Sequence, residues 1–65
     1  MVTIISKDTT ESVINSATVK VAGARNAAHA LELALNDLDR HGWICSIERY
    51  ESTISDDGSY ILIMY

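Results

Sequence analysis

Between Leu31 and Ile47 a helical apolar pattern runs through Leu31, Ala34, Leu35 and Leu38 and stops at His41-Gly42-Trp43. An alternating strand pattern follows at once. A helix that hands over directly to a strand has to lay its apolar face on a sheet, since neither element buries its face alone. At about 100° per residue Ala27, Leu31, Ala34, Leu35 and Leu38 share that face, while Glu32, Asn36, Asp39 and Arg40 lie away from it. Asn26 suits the N-cap, where a side-chain oxygen satisfies free first-turn amides. Gly42 suits the left-handed position just past the C-terminus.

The flanking segments read as strands. Val2 to Ser6 is β-branched and apolar, and polar Lys7 to Ser12 reads as a turn. Val13 to Ala22 alternates, with Val13, Asn15, Ala17, Val19 and Val21 on one side and Ile14, Ser16, Thr18, Lys20 and Ala22 on the other. Trp43 to Tyr50 alternates again, and Asp57-Gly58 is a hairpin-turn signal that pairs this strand with Tyr60 to Tyr65. Pairing about that turn predicts Tyr50, Ser52 and Ile54 on one face with Tyr65, Ile63 and Ile61, and Trp43, Cys45 and Ile47 on the other with Leu62 and Met64. The expected fold is α+β: a single ββαββ domain over residues 1–65, an antiparallel sheet with one helix packed on one face.

Both sheet faces read as apolar and one helix covers only one of them, so the other is expected to be covered from outside the chain. A homo-oligomer is the expected state. A chain of 65 residues buries only about 60% of the surface its unfolded form exposes, and a single cysteine, Cys45, allows no internal disulfide. Leu33 lies about 160° from the centre of the apolar stripe, where a monomer gains nothing from leucine. The expected interface therefore comprises Leu33, Ile54, Ile61, Ile63 and Tyr65.

Charge and composition narrow the function. A net charge of −4, from nine carboxylates against five Lys and Arg, opposes the phosphate attraction behind general nucleic-acid binding. No stretch approaches the roughly 20 apolar residues of a membrane span. The lone cysteine and an N-terminus without a basic, apolar leader pattern read as cytoplasmic.

The run Leu35-Asn36-Asp37-Leu38-Asp39-Arg40-His41-Gly42-Trp43, followed by an alternating strand, a polar turn and Tyr60-Ile61-Leu62-Ile63, resembles a family of short bacterial and phage proteins of unknown function. There a helix ending in Leu-Asn-x-Leu-x-x-x-Gly-Trp runs straight into a hairpin. The resemblance covers about the C-terminal half and implies the helix-on-sheet fold. Through the family's phage members it also implies a counter-defence role.

Residues with chemistry are few. His29 and His41 lie about three helical turns apart, too far to share a metal. His41 reads as a cap interacting with the helix end or Asp37, and Cys45 as core. No glycine-flanked nucleophile or phosphate loop is present, so no catalytic role and no cofactor is expected. Lys20, Arg25 and Asn26 form a candidate anion site, because free amides and the dipole at a helix N-terminus attract negative charge. Arg49 and Tyr50 could add a cation and a stacking ring. The expected function is a non-catalytic binding protein that sequesters a small anionic, nucleotide-like ligand or blocks a host protein. The alternative is a structural homo-oligomer or assembly adaptor.

Overall fold

A computed structural model of the chain describes residues 1–65. The order is β1 (Val2–Thr10), β2 (Val13–Val21), α1 (Ala27–Arg40), β3 (Ile44–Cys45), β4 (Tyr50–Ile54) and β5 (Tyr60–Met64). The fold is α+β, with the expected ββαββ order interrupted by one extra short strand. The sheet runs β1-β2-β5-β4 with antiparallel pairing throughout. β3 joins it in parallel beside the start of β2, through Val13↔Ile44 and Ile14↔Cys45.

The first hairpin is longer than its sequence implies. Residues Lys7–Thr10 belong to β1, and only Glu11-Ser12 make the turn, with Glu11 at φ 55. The register slips between Ile4 and Ser6 and again between Asp8 and Thr9. At the second slip Ser16 faces Asp8 and Ile14 faces Thr9, leaving Asn15 as the extra residue. That bulge reverses the side-chain parity of β2. Ile14 thereby joins Ala17, Val19 and Val21 on the core side instead of facing away from them. Asn15 itself is exposed and donates Nδ2–H to Thr10 Oγ1 at 2.9 Å.

The second hairpin corrects the expected register. Gly58 N–H donates to Ser55 O at 2.9 Å and Ser55 N–H to Ser59 O at 2.7 Å, and Gly58 has φ 86. This is a type I turn followed by a left-handed glycine, a three-residue connection rather than a two-residue one. The extra residue moves the pairing by one. Tyr50 faces Met64, Ser52 faces Leu62 and Ile54 faces Tyr60, so Tyr50 and Ile54 lie on the helix side of the sheet. Ile61 and Ile63 lie on the outer side among Thr18, Lys20, Glu51 and Thr53. The outer face is thus a two-isoleucine stripe in polar surroundings, not a second apolar face.

Helix α1 begins and ends as its residues dictate. Asn26 Oδ1 accepts His29 N–H at 2.8 Å. At the other end Trp43 N–H donates to Leu38 O and Gly42 N–H to Asp39 O, with Gly42 at φ 86. Those two bonds are the Schellman closure. Ala30, Ala34 and Leu38 are the fully buried helical residues, packed in one cluster with Ile14, Val19, Val21, Leu62 and Met64. The stripe is centred on Ala34 rather than Leu35, which rotates Leu33 toward the sheet. Leu33 is half-buried against the core, a correction to its expected exposure. Trp43, Cys45 and Ile47 pack on the same core, as their alternation implied.

Candidate functional site

Leu31 and Leu35 leave one flank of α1, and the chain after β3 brings Ile47, Glu48, Arg49 and Tyr50 past them. Together these six residues line a cleft of about 230 Å³. The segment is irregular because Ser46 N–H is held by Ile14 O at one end, while Glu48 and Arg49 N–H both donate to Tyr65 O at the other. Tyr65 N–H returns a bond to Arg49 O at 2.9 Å. Arg49 and Tyr50 are therefore fixed by backbone, with exposed side chains beside an apolar floor of Leu31, Leu35 and Ile47. A guanidinium, a phenol ring and aliphatic side chains in one cleft can accept a flat group carrying negative charge. Glu48 on the rim selects against a second negative charge there.

The other residues expected at a ligand site do not converge on this cleft. Lys20 lies on the outer face, between Thr3 and Ile61 in register, and its Nζ is 2.8 Å from Asp57 Oδ2. It does not join Arg25 and Asn26, because the odd-even parity of β2 turns it away from the helix. The helix N-terminus is also partly self-satisfied: Asn26 takes the His29 amide, and His29 Nδ1 accepts Arg25 N–H at 3.0 Å. Arg25 is exposed.

A second, more open cleft of about 500 Å³ lies on the opposite flank of the helix, lined by Met1, Val2, Leu33, Asn36, Asp37 and Arg40. Its charges are internally matched. Arg40 donates to Asp37 Oδ1 at 3.0 Å, and His41 Nδ1 lies 2.7 Å from Asp37 O, which fulfils the capping role expected of it.

The expected interface residues fall on three separate surfaces. Leu33 lines the open cleft, Ile61 and Ile63 form the outer stripe, and Ile54 stands on edge strand β4 at 67% exposure. Tyr65 is exposed and donates its hydroxyl to Glu51 Oε2 at 2.8 Å, which raises the phenol pKa above its ordinary value. Burial, with Asp39 nearby, raises the Cys45 thiol, so it is a poorer nucleophile than an ordinary cysteine.

Three contributions escaped the sequence. Leu31, Leu35 and Ile47 were readable as core, yet they also floor the cleft. Asp57 does more than turn the chain: Lys20, the Ser59 amide and the Ser55 hydroxyl all bond its carboxylate and hold it well below the usual range. Lys7 Nζ sits 4.7 Å from the centroid of the Trp43 ring, a cation–π contact that no local pattern marks. No protein-family model matches the chain, and no curated protein or solved structure matches it. No helix is long and apolar enough to cross a membrane.

Proposed function

We propose that this chain is a small binding domain that catalyses no reaction of its own and works as a self-associated unit in the cytoplasm. One observation carries the reading. Of seven large apolar residues left in solvent, Tyr50, Ile54, Ile63 and Tyr65 belong to the C-terminal hairpin, with Tyr50 lining the cleft, Ile54 on edge strand β4 and Ile63 on the outer face. Exposed aromatic and aliphatic groups gathered on one hairpin favour an interaction surface over a solvated exterior.

The ligand that best fits is a small anion bearing a ring, such as a nucleotide fragment. Its ring would stack on Tyr50 above Leu31, Leu35 and Ile47, and its charge would meet Arg49. A cleft of about 230 Å³ is below the usual small-molecule range of about 300–1,000 Å³, which favours one ring and one charged group over a larger molecule. With the phage resemblance, this makes the protein a counter-defence agent that sequesters a nucleotide-derived signal, or blocks a host protein by accepting a side chain of the same chemistry.

Titration calorimetry with nucleoside monophosphates tests the ligand, with Arg49→Glu as the control. Binding by the wild type and at least about tenfold weaker binding by the variant is the expected result. No heat from either, with an intact oligomer, removes the ligand and leaves the second reading, a structural homo-oligomer or assembly adaptor. That reading is favoured by the uncovered edge of β4, every residue of which is exposed.

A further inference from the structure

The sheet has two outer strands, β1 and β4, and they are defended differently. An unpaired strand edge invites another strand, and proteins commonly block it with bulges, charges or proline. Strand β1 carries the slip at Ile5 and exposed Lys7 and Asp8. Strand β4, Tyr50-Glu51-Ser52-Thr53-Ile54, pairs with β5 without a bulge and contains neither lysine nor proline. Its one charge, Glu51, lies on the outer face and is engaged by the Tyr65 hydroxyl.

The backbone of β4 is set to receive a partner. Arg49 exchanges both backbone bonds with Tyr65, and Ser55 N–H donates to Ser59 O. Antiparallel alternation then turns Glu51 and Thr53 toward β5 and leaves the N–H and C=O groups of Tyr50, Ser52 and Ile54 directed outward.

We infer that β4 pairs antiparallel with β4 of a second copy about a two-fold axis through Ser52, joining the two sheets into one. This rests on the self-association reading above and specifies its contact. A two-fold axis relating identical antiparallel edge strands stands normal to the sheet, so each residue meets one from the same face. Centring the axis on Glu51 would set that carboxylate against its own copy. Centring it on Thr53 would set Ile54 against Ser52 and Tyr50 against Asp56. Centring it on Ser52 sets Tyr50 against Ile54 twice and Glu51 against Thr53 twice, with no like charges opposed within the strand. Aromatic and β-branched residues are favourable cross-strand partners. All the outward backbone groups of Tyr50, Ser52 and Ile54 find partners in this register. Because Tyr50 lines the cleft, Ile54 of the second copy comes to its mouth, which gives that side chain, 67% exposed in one chain, an apolar place.

Sedimentation of the wild type, of Ser52→Pro, and of Ser52→Cys and Glu51→Cys in a Cys45→Ser background decides the matter. Ser52 N–H points outward, so proline there leaves the bonds to β5 in place and removes those to the second copy. A two-protomer wild type, a folded one-protomer Ser52→Pro and rapid oxidative cross-linking of Ser52→Cys alone are expected. Directly opposed residues stand about 5.5 Å apart, within disulfide reach. Two residues at position 51 would be about 8 Å apart, beyond it. A one-protomer wild type at micromolar concentration overturns both this pairing and self-association. A two-protomer wild type whose Ser52→Pro variant stays paired and whose Ser52→Cys variant does not cross-link overturns only the β4 contact. If Ser52→Pro unfolds, the cysteine pair alone decides.

Discussion

The N-terminal hairpin is long, bulged twice and turned by two residues, whereas the C-terminal hairpin is short, regular and turned by three. Both place residues in the same nine-residue core, by opposite means. The first hairpin uses an extra residue inside a strand to bring Ile14 onto the core side. The second uses an extra residue in the turn to bring Tyr50 and Ile54 to the side of its core residues Leu62 and Met64. The difference shows that side-chain parity in a small sheet is decided by single added residues, and that where the residue is added determines which edge is left open.

The largest effect should come from truncating the second hairpin's core contribution. Leu62 is fully buried and Ile63, next to it, is 44% exposed. Leu62→Ala should cost about 2–5 kcal/mol, and Ile63→Ala well under half of that. Urea unfolding of both variants measures the contrast, and equal losses would break the assignment of the two faces. Inserting an alanine between Asp8 and Thr9, opposite Asn15, should come next. With Asn15 paired the bulge is gone and Ile14 turns to the outer face, for a loss of about 1.5–3 kcal/mol, read in the same assay. An insertion variant of unchanged stability would show that the bulge does not set the parity.

These contrasts also mark what was legible in the sequence. Asn26 and Gly42 were readable because a cap is satisfied within a few residues of itself. The bulge at Asn15 was not, because it is defined by which residue of β1 it faces, and the sequence of β2 alone alternates without a break. The break at Ser46–Arg49 was hidden for the same reason: Val13-Ile14 and Tyr65, both distant in sequence, capture its two ends. At the site, Arg49 and Tyr50 were legible as a cation beside a ring. Lys20 was grouped with Arg25 and Asn26 although its parity set it opposite Val19 and Val21, and its partner Asp57, in a turn distant in sequence, was not legible.

Smaller effects test the two turns. Glu11 has φ 55 without being glycine, so Glu11→Gly should stabilise the first hairpin by about 0.5–1 kcal/mol, visible as a higher midpoint in urea. Asp57 acts more weakly, because its pair with Lys20 is open to solvent and screened by salt. Lys20, with the Ser59 amide and the Ser55 hydroxyl, lowers its pKa in the folded state. Its contribution is therefore present above an unfolded carboxylate pKa of about 3.9 and is lost as pH falls below that value. Asp57→Ala should lower the melting temperature at pH 7 and flatten its decline in acid. A variant that keeps the wild-type acid slope would remove Asp57 from the account.

The chain has a single tryptophan and three tyrosines, and their distribution makes it report on itself. Trp43 sits where the helix ends, under Lys7 of the first hairpin, while Tyr50, Tyr60 and Tyr65 all belong to the second. Light absorbed by the phenols can pass to the indole only while the two halves stay close. Tyrosine-excited indole emission should thus follow detachment of the C-terminal hairpin, and directly excited indole emission the departure of Lys7 from the ring. Two colours of excitation would then distinguish the loosening of either hairpin in unlabelled protein.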